Sequence, residues 1–121
     1  MIDSWAWIEY FKGSRPGQKA RTYIDGEEDA IISAINAAEV YRWVLREYDE
    51  PTAEEYRGVL KARARLMPVD EPLAILAAQA RAAHGWGLGD AIVYATARLH
   101  DARILTGDPD FRKVQDVIFI G

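Results

Sequence analysis

Short, almost unbroken apolar runs alternate along the chain with longer stretches whose apolar positions recur at helical spacing. The runs fall at residues 1–2, 30–34 (AIISA), 67–69, 103–106 (RILT) and 117–120 (VIFI). Runs of this length and composition predict strands, and AIISA, RILT and VIFI read as strands covered on both faces. Residues 5–11 predict a short helix directly after the first run. Across residues 36–48, Ala37, Val40, Tyr41, Val44, Leu45 and Tyr48 form one i, i+3, i+4 stripe. Residues 52–66 follow Pro51 and are rich in helix formers, and residues 71–84 are rich in alanine and leucine and stop at Gly85. Residues 88–100 are apolar nearly all round, through Ala91, Ile92, Val93, Ala95, Ala97 and Leu99, so this helix is expected to be buried on several sides. Strands alternating with helices predict an α/β domain with a mostly parallel sheet. No repeat, low-complexity tract or long linker interrupts the pattern, so a single domain over residues 1–121 is expected.

Composition narrows the chemistry. There are no cysteines and only two histidines, which excludes disulfides and thiolate sites and leaves little for a histidine-rich zinc centre. No apolar run reaches the roughly 20 residues needed to span a bilayer, and no signal-peptide pattern opens the chain, so a cytoplasmic protein without a membrane partner is expected. The net charge of −4 argues against a nucleic-acid partner, unless the excess acids are gathered where a cation neutralises them. Basic residues also cluster, at Lys12, Arg15, Lys19 and Arg21 and again at Arg57, Lys61, Arg63 and Arg65. The second group reads more readily as a solvated helix face than as an RNA contact.

In open parallel sheets, ligands bind beyond the carboxyl ends of the strands. Acids placed just after strands therefore converge although they are distant in sequence. Four acids meet this description, and each also has a local reading. Asp3 follows the first run and can cap the next helix. Glu39 lies three residues after Asn36, as in a capping box, or can pair with Arg42 or Arg46. Asp90 falls in the first turn of the apolar helix, where the helix dipole favours it but its apolar surroundings do not. Asp108 precedes Pro109 as at a helix start, with Asp110 in the first turn. Taken together they describe a hard-oxygen site for Mg²⁺ or Mn²⁺, since crowded carboxylates repel one another unless a cation is present. A metal held by carboxylates suits phosphodiester hydrolysis.

Met1-Ile2-Asp3-Ser4, Asn36-Ala37-Ala38-Glu39-Val40, Leu88-Gly89-Asp90-Ala91 and Thr106-Gly107-Asp108-Pro109-Asp110-Phe111 occur in the order and approximate spacing of PIN-domain nucleases. The chain resembles that family over essentially its whole length, and within it the VapC-type toxins of toxin–antitoxin pairs. The resemblance implies a three-layer α/β/α sandwich with a short, mostly parallel central sheet of about five strands. It implies an endoribonuclease using Mg²⁺ or Mn²⁺ and leaving a 3′-hydroxyl and a 5′-phosphate. By the same resemblance Asp3, Glu39, Asp90 and Asp108 are the catalytic acids and metal ligands, Glu39 acting through a water. Asp110 supports the metal, and Ser4 and Thr106 are hydroxyl residues beside it. A small VapB-like antitoxin and a second copy of the chain are the implied partners, with RNA as substrate. Two departures stand out. Only two residues precede Asp3, which shortens the central strand and is expected to leave the charged N-terminus near the metal pocket. Gly85, Gly87 and Gly89 surround Trp86 and predict a loose start to the helix that carries Asp90.

Trp86 is the aromatic candidate for contact with RNA or with the antitoxin, whereas Trp5, Trp7 and Trp43 are expected in the core. His84 and His100 fall near helix C-termini, where an imidazole can meet free carbonyls. A phosphatase of the haloacid-dehalogenase type would place a second Asp two residues after Asp3, where this chain has Trp5. A receiver domain would have an Asp after AIISA, where this chain has Ile35 and Asn36. The readings left open are a toxin, an RNA-processing nuclease of the same fold, and a non-catalytic RNA- or protein-binding module.

Overall fold

In the computed structural model, which describes residues 1–121, local sequence marks the ends of nearly every helix. Helix α1 (Ser4–Lys12) starts at Asp3 and stops at Gly13, whose φ of 66° lies in the left-handed region that glycine adopts without strain. Helix α2 (Arg15–Ile24) is capped by the Ser14 side chain, which accepts from the Gly17 N–H. Strand β1 (Ile31–Ser33) runs directly into α3 (Ala34–Glu47). Helix α4 (Glu50–Arg63), capped by Asp49, precedes β2 (Arg65–Met67). Helix α5 (Glu71–His84), capped by Asp70, ends at Gly85 and is followed by α6 (Leu88–Leu99). Strand β3 (Ile104–Thr106), a 3₁₀ turn (Pro109–Phe111) and β4 (Val117–Phe119) complete the chain.

β1 pairs in parallel with β2, and β3 in parallel with β4. The extended segment at residues 1–3 joins these two ladders. The Ile2 N–H donates to the Ile31 carbonyl at 3.0 Å, the Leu105 N–H to the Met1 carbonyl at 2.8 Å, and the Asp3 N–H to the Leu105 carbonyl at 3.1 Å. Ile2 and Leu105 form a parallel bridge. The spatial order is thus β2, β1, residues 1–3, β3, β4, all parallel, which is the expected five-stranded sheet with a very short centre. Side chains alternate across it. Ile2, Ile32 and Leu105 pack on one face with Ala6, Trp7, Ala20, Val40 and Val44 from α1, α2 and α3. Met1, Ile31 and Ile104 pack on the other with Val93, Ala97 and Phe111. Helices on both faces make the three-layer sandwich.

The hydrophobic pattern misses α2, because only Gly17, Ala20 and Ile24 of its residues are buried and the apolar stripe is too thin to register. The strand expected at 67–69 lies at Arg65–Met67 instead. There the Arg65 N–H reaches the Ala30 carbonyl at 2.9 Å, whereas Pro68 has no N–H to offer a ladder. Helix α4 accordingly stops at Arg63. Helix α6 buries six residues, Ala91, Ile92, Val93, Ala95, Thr96 and Ala97, as its pattern predicts, although Leu99 at its end is exposed. No helix is long and apolar enough to cross a membrane.

α1 and α2 pack so closely that a Cβ on Gly17 would overlap the Glu9 carbonyl, while Gly58 in α4 has nothing within 4 Å of that position. Gly17→Ala is therefore expected to destabilise the fold by about 1–3 kcal/mol. Gly58→Ala is expected to stabilise it by roughly 1 kcal/mol, since alanine is the better helix former. Urea melts of the two variants check the contrast, and effects of the same sign would overturn it.

Candidate active site

The carboxyl ends of the central strands carry the polar residues. Asp3 ends the middle segment and is only 5% exposed. Its Oδ2 accepts from Thr106 Oγ1 at 2.8 Å, at the end of β3, and its Oδ1 accepts from the Ser4 N–H at 2.9 Å. Asn36, fully buried in the first turn of α3, reaches across from β1. Its Nδ2 donates to Ser4 Oγ at 2.8 Å and makes longer contacts with Glu39 Oε1 at 3.4 Å and Asp3 Oδ1 at 3.5 Å. Ser4 Oγ in turn donates to Glu39 Oε1 at 2.6 Å. Thr106 Oγ1 also accepts from the Asp108 N–H at 3.0 Å, and Asp108 Oδ1 accepts from the Asp110 N–H at 2.9 Å. One polar chain therefore runs from Glu39 through Ser4, Asp3 and Thr106 to Asp108 and Asp110.

Asp90 arrives from the opposite side, in the first turn of α6. Carboxylate oxygens of Asp90, Asp108 and Asp110 all lie within 4.8 Å of one another. Glu39 approaches the same helix start, its Oε2 lying 3.6 Å from where a Gly89 Cβ would be. Burial pushes the Asp3 carboxyl up to about 6, with the charges of Glu39 and Asp108 adding to it against hydrogen bonds from Thr106 and Ser4. Burial likewise pushes Asp90 up to about 7, helped by the charge of Asp108 and a hydrogen bond with Asp110. None of the eight ion pairs in the structure involves Asp3, Glu39, Asp90, Asp108 or Asp110. Hard oxygen donors, crowded like charges and no ion pair to a basic side chain fit a divalent cation such as Mg²⁺ or Mn²⁺.

All the acids singled out in the sequence thus meet at one end of the sheet. Their local roles are mixed. Asp3 does cap α1, and Asp108 caps the 3₁₀ turn. Glu39 does neither of the things open to it. The capping box at the start of α3 is formed by Ser33 and Asn36, with Asn36 Oδ1 accepting from the Ser33 N–H at 3.3 Å, and Glu39 pairs with no arginine. Asp90 has no capping role either, and Gly87 caps α6 without any side-chain hydrogen bond. The N-terminal ammonium does not lie near the acids. It donates to the Arg103 carbonyl at 2.8 Å, at the opposite edge of the sheet. The three arginines of the basic group in α4 and β2 are occupied elsewhere, through Arg57–Glu54 at 3.1 Å, Arg63–Asp25 at 3.7 Å and Arg65–Asp29 at 2.7 Å, while Lys61 joins no ion pair. A hollow of about 320 Å³ beside Met1 and Arg103 lies at that same amino edge, where its charges are consumed by Arg65–Asp29 and Arg103–Glu28.

Two positioning features escaped the sequence pattern. Asn36 looks like a helix cap, and only its burial reveals that it must be bonded within the site. Gly107 supports the Trp5 ring so closely that any Cβ would overlap it, which holds the Thr106–Asp108 segment against α1.

A carboxylate whose folded pKa is raised contributes stability that is present below its unfolded pKa and lost as pH rises through the folded value. For Asp3 that window runs from about 4 to about 6. In chelator, Asp3→Asn is expected to match the wild type near pH 4 and to exceed its stability by about 3 kcal/mol at pH 7. Parallel melts across this range check the crossover, and a pH-independent difference would overturn the burial argument.

A PIN domain family model matches residues 1–117. No curated protein matches the chain by sequence. Among solved structures, a toxin–antitoxin complex from Klebsiella pneumoniae superposes with a TM-score of 0.82 at 22% identity, covering 99% of this chain and 96% of that one. VapC20 of Mycobacterium tuberculosis, described as a Sarcin-Ricin loop cleaving toxin, gives 0.79 at 18% identity over 96% and 95% of the two chains. VapBC2 of Rickettsia felis, bound to a DNA fragment from its promoter, gives 0.75 at 14% identity over 98% and 95%. At these identities the structural likeness is one of fold, and it agrees with the sandwich described above. With the family model spanning nearly the whole sequence, the chain belongs to the PIN domain family.

Proposed function

We propose that this chain is a Mg²⁺- or Mn²⁺-dependent endoribonuclease and the toxin of a VapBC-type toxin–antitoxin pair. The observation that carries the reading is the meeting of Asp90, Asp108 and Asp110 oxygens within 4.8 Å, beside a buried Asp3, with none of these acids in an ion pair. Asp3, Asp90 and Asp108 hold the cation, Asp110 supports it, and Glu39 acts through a water. When bound, the cation polarises a phosphoryl oxygen and makes an attacking water more acidic. Kinship in fold with VapC20, a Sarcin-Ricin loop cleaving toxin, supports RNA as the substrate.

The chain's own residues prepare that chemistry. Thr106 and the Ser4 N–H grip the two Asp3 oxygens, so the carboxylate cannot rotate away from the pocket. Asn36 holds Ser4, and Ser4 holds Glu39, which fixes that exposed acid without neutralising it. The burial of Asp3 strengthens its attraction for a cation by lowering the local dielectric. Asp3 and Asp90 must lose their protons to bind, so cation affinity rises with pH through about 6 to 7. The whole chain acts as one domain in the cytoplasm. It pairs with a second copy, which the exposed Ile75 and Leu76 of α5 and Leu88 and Leu99 of α6 favour. A small antitoxin silences it by offering a guanidinium to the unpaired acids.

The test is cleavage of a mixed RNA pool in Mg²⁺, Mn²⁺ or chelator, with identically purified Asp90→Asn alongside to expose contaminants. Cutting is expected only with metal, and Asp90→Asn should reduce it by about 100-fold or more. Asn36→Ala should reduce it about 10- to 100-fold, as loss of a group that orients a ligand does. Absence of cutting together with a melting temperature indifferent to Mn²⁺ would overturn the reading in favour of a non-catalytic module. Cutting confined to one precursor RNA, without growth arrest on expression, would replace the toxin by an RNA-processing nuclease.

A further inference from the structure

The chemistry above leaves unused a group of aromatic side chains beside the acids. Trp86, between α5 and α6, lies face to face with His84, the ring centroids 4.1 Å apart and the planes within 7°. Tyr94 of α6 stands edge-on to Trp86 at 5.2 Å and tilted against His84 at 5.3 Å. Phe111 backs Trp86 at 5.3 Å. Phe111 is fully buried, Trp86 is half-buried and His84 is exposed. The stack therefore runs from the core to the surface and ends on an imidazole open to solvent.

His84, Trp86 and Tyr94 line a groove of about 360 Å³ together with Arg98, Lys113 and Asp110. Asp110 also belongs to the acid cluster, so the groove opens directly off the metal-binding end of the sheet. Its two cations differ. Arg98 lies over the Tyr94 ring at 5.0 Å and reaches Asp116 at 3.4 Å, which holds it in place. Lys113 is exposed and joins none of the structure's ion pairs. In a chain of net charge −4, an aromatic wall with a cationic rim next to an acidic centre selects a ligand with a flat π face and a negative charge on the same unit. A nucleotide has both, and a cavity of this size accepts a single base.

We propose that this groove seats an unpaired RNA base next to the bond that is cut, stacked on the outer face of His84, with its phosphate toward Lys113 and Arg98. The proposal rests on the nuclease reading and assigns one base-binding subsite within it. A base inside a duplex has both faces covered, so the groove selects loops and single strands. Larger π faces stack more strongly, so a purine is favoured at one fixed position beside the cut. His84 is a specificity residue here and takes no part in bond breaking.

The experiment uses the full chain with Mn²⁺ and single-stranded RNAs carrying a randomised window, alongside the same sequences locked in hairpin stems. Sequenced ends should show purine enrichment at one position flanking the cut and little cutting in stems. On a short RNA of the best-cut sequence, His84→Ala should raise KM about 5- to 10-fold with kcat within about twofold, and should flatten the purine preference. His84→Tyr, which restores a stacking face, should recover both. Lys113→Ala should lower the slope of binding against salt by about 1. His84 is exposed, so its variants should fold, and a melt recorded beside each assay verifies this. Unchanged KM and cut sites in His84→Ala would overturn the groove assignment, leaving the aromatic wall to a protein partner and the nuclease reading intact. Failure of the wild type to cut any RNA with metal, together with a melting temperature indifferent to Mn²⁺, would overturn both.

Discussion

The burial of one carboxylate at the end of a very short central strand governs the rest of the structure. Asp3 is desolvated because the segment that carries it lies between β1 and β3, the two inner strands, with helices on both faces. A charge in that position is expensive unless it is hydrogen-bonded or paired. The fold supplies hydrogen bonds, from Thr106 and the Ser4 backbone, and supplies no cation from its own side chains. That unmet demand for positive charge ties the fold to its chemistry. The same three residues whose backbone groups join the two halves of the sheet deliver the carboxylate to its edge.

The sheet is too small to position a site by itself, since its strands span only three residues each. Precision comes from side-chain links between elements. Asn36 ties α3 to α1 through Ser4, and Thr106 ties β3 to the central segment. Trp5 pressed on Gly107 fixes the loop that carries Asp108. Helix α6 is the exception, because Asp90 reaches the cluster from a helix start that lacks a side-chain cap. Apolar packing of Ala91, Val93 and Ala97 against its neighbours holds it instead. The acid with the weakest local support is thus held by the core, and the acids at the strand ends by hydrogen bonds.

The distribution of charge follows the same logic. Most basic residues of α4 and β2 are engaged by acids far from the site, so the five acids at the carboxyl edge stand uncompensated. Beside them the sign reverses at Arg98 and Lys113, over an aromatic wall. An acidic centre that waits for a cation and a cationic rim that waits for an anion suit a phosphodiester better than either feature would alone.

The sequence by itself determined the alternation of strands and helices, the parallel sheet and the placing of acids at element boundaries. These follow from periodicity and from the position of Asp3, Asp90 and Asp108 at element boundaries, which are local properties. It could not reveal α2, whose buried stripe is three residues wide, or the register that moves β2 to Arg65–Met67, because pairing partners choose register. The local role of Glu39 was open until tertiary structure gave the capping box to Ser33 and Asn36 and left Glu39 hydrogen-bonded to Ser4. Only the folded chain decided that Asn36 connects two acids, that the N-terminal ammonium faces away from them, and that His84 extends the Trp86 stack. The first two depend on groups that meet across the fold, Asn36 and Ser4 being 32 positions apart and Met1 and Arg103 102, and the third on how the turn after α5 folds back, so none is a property of local sequence pattern.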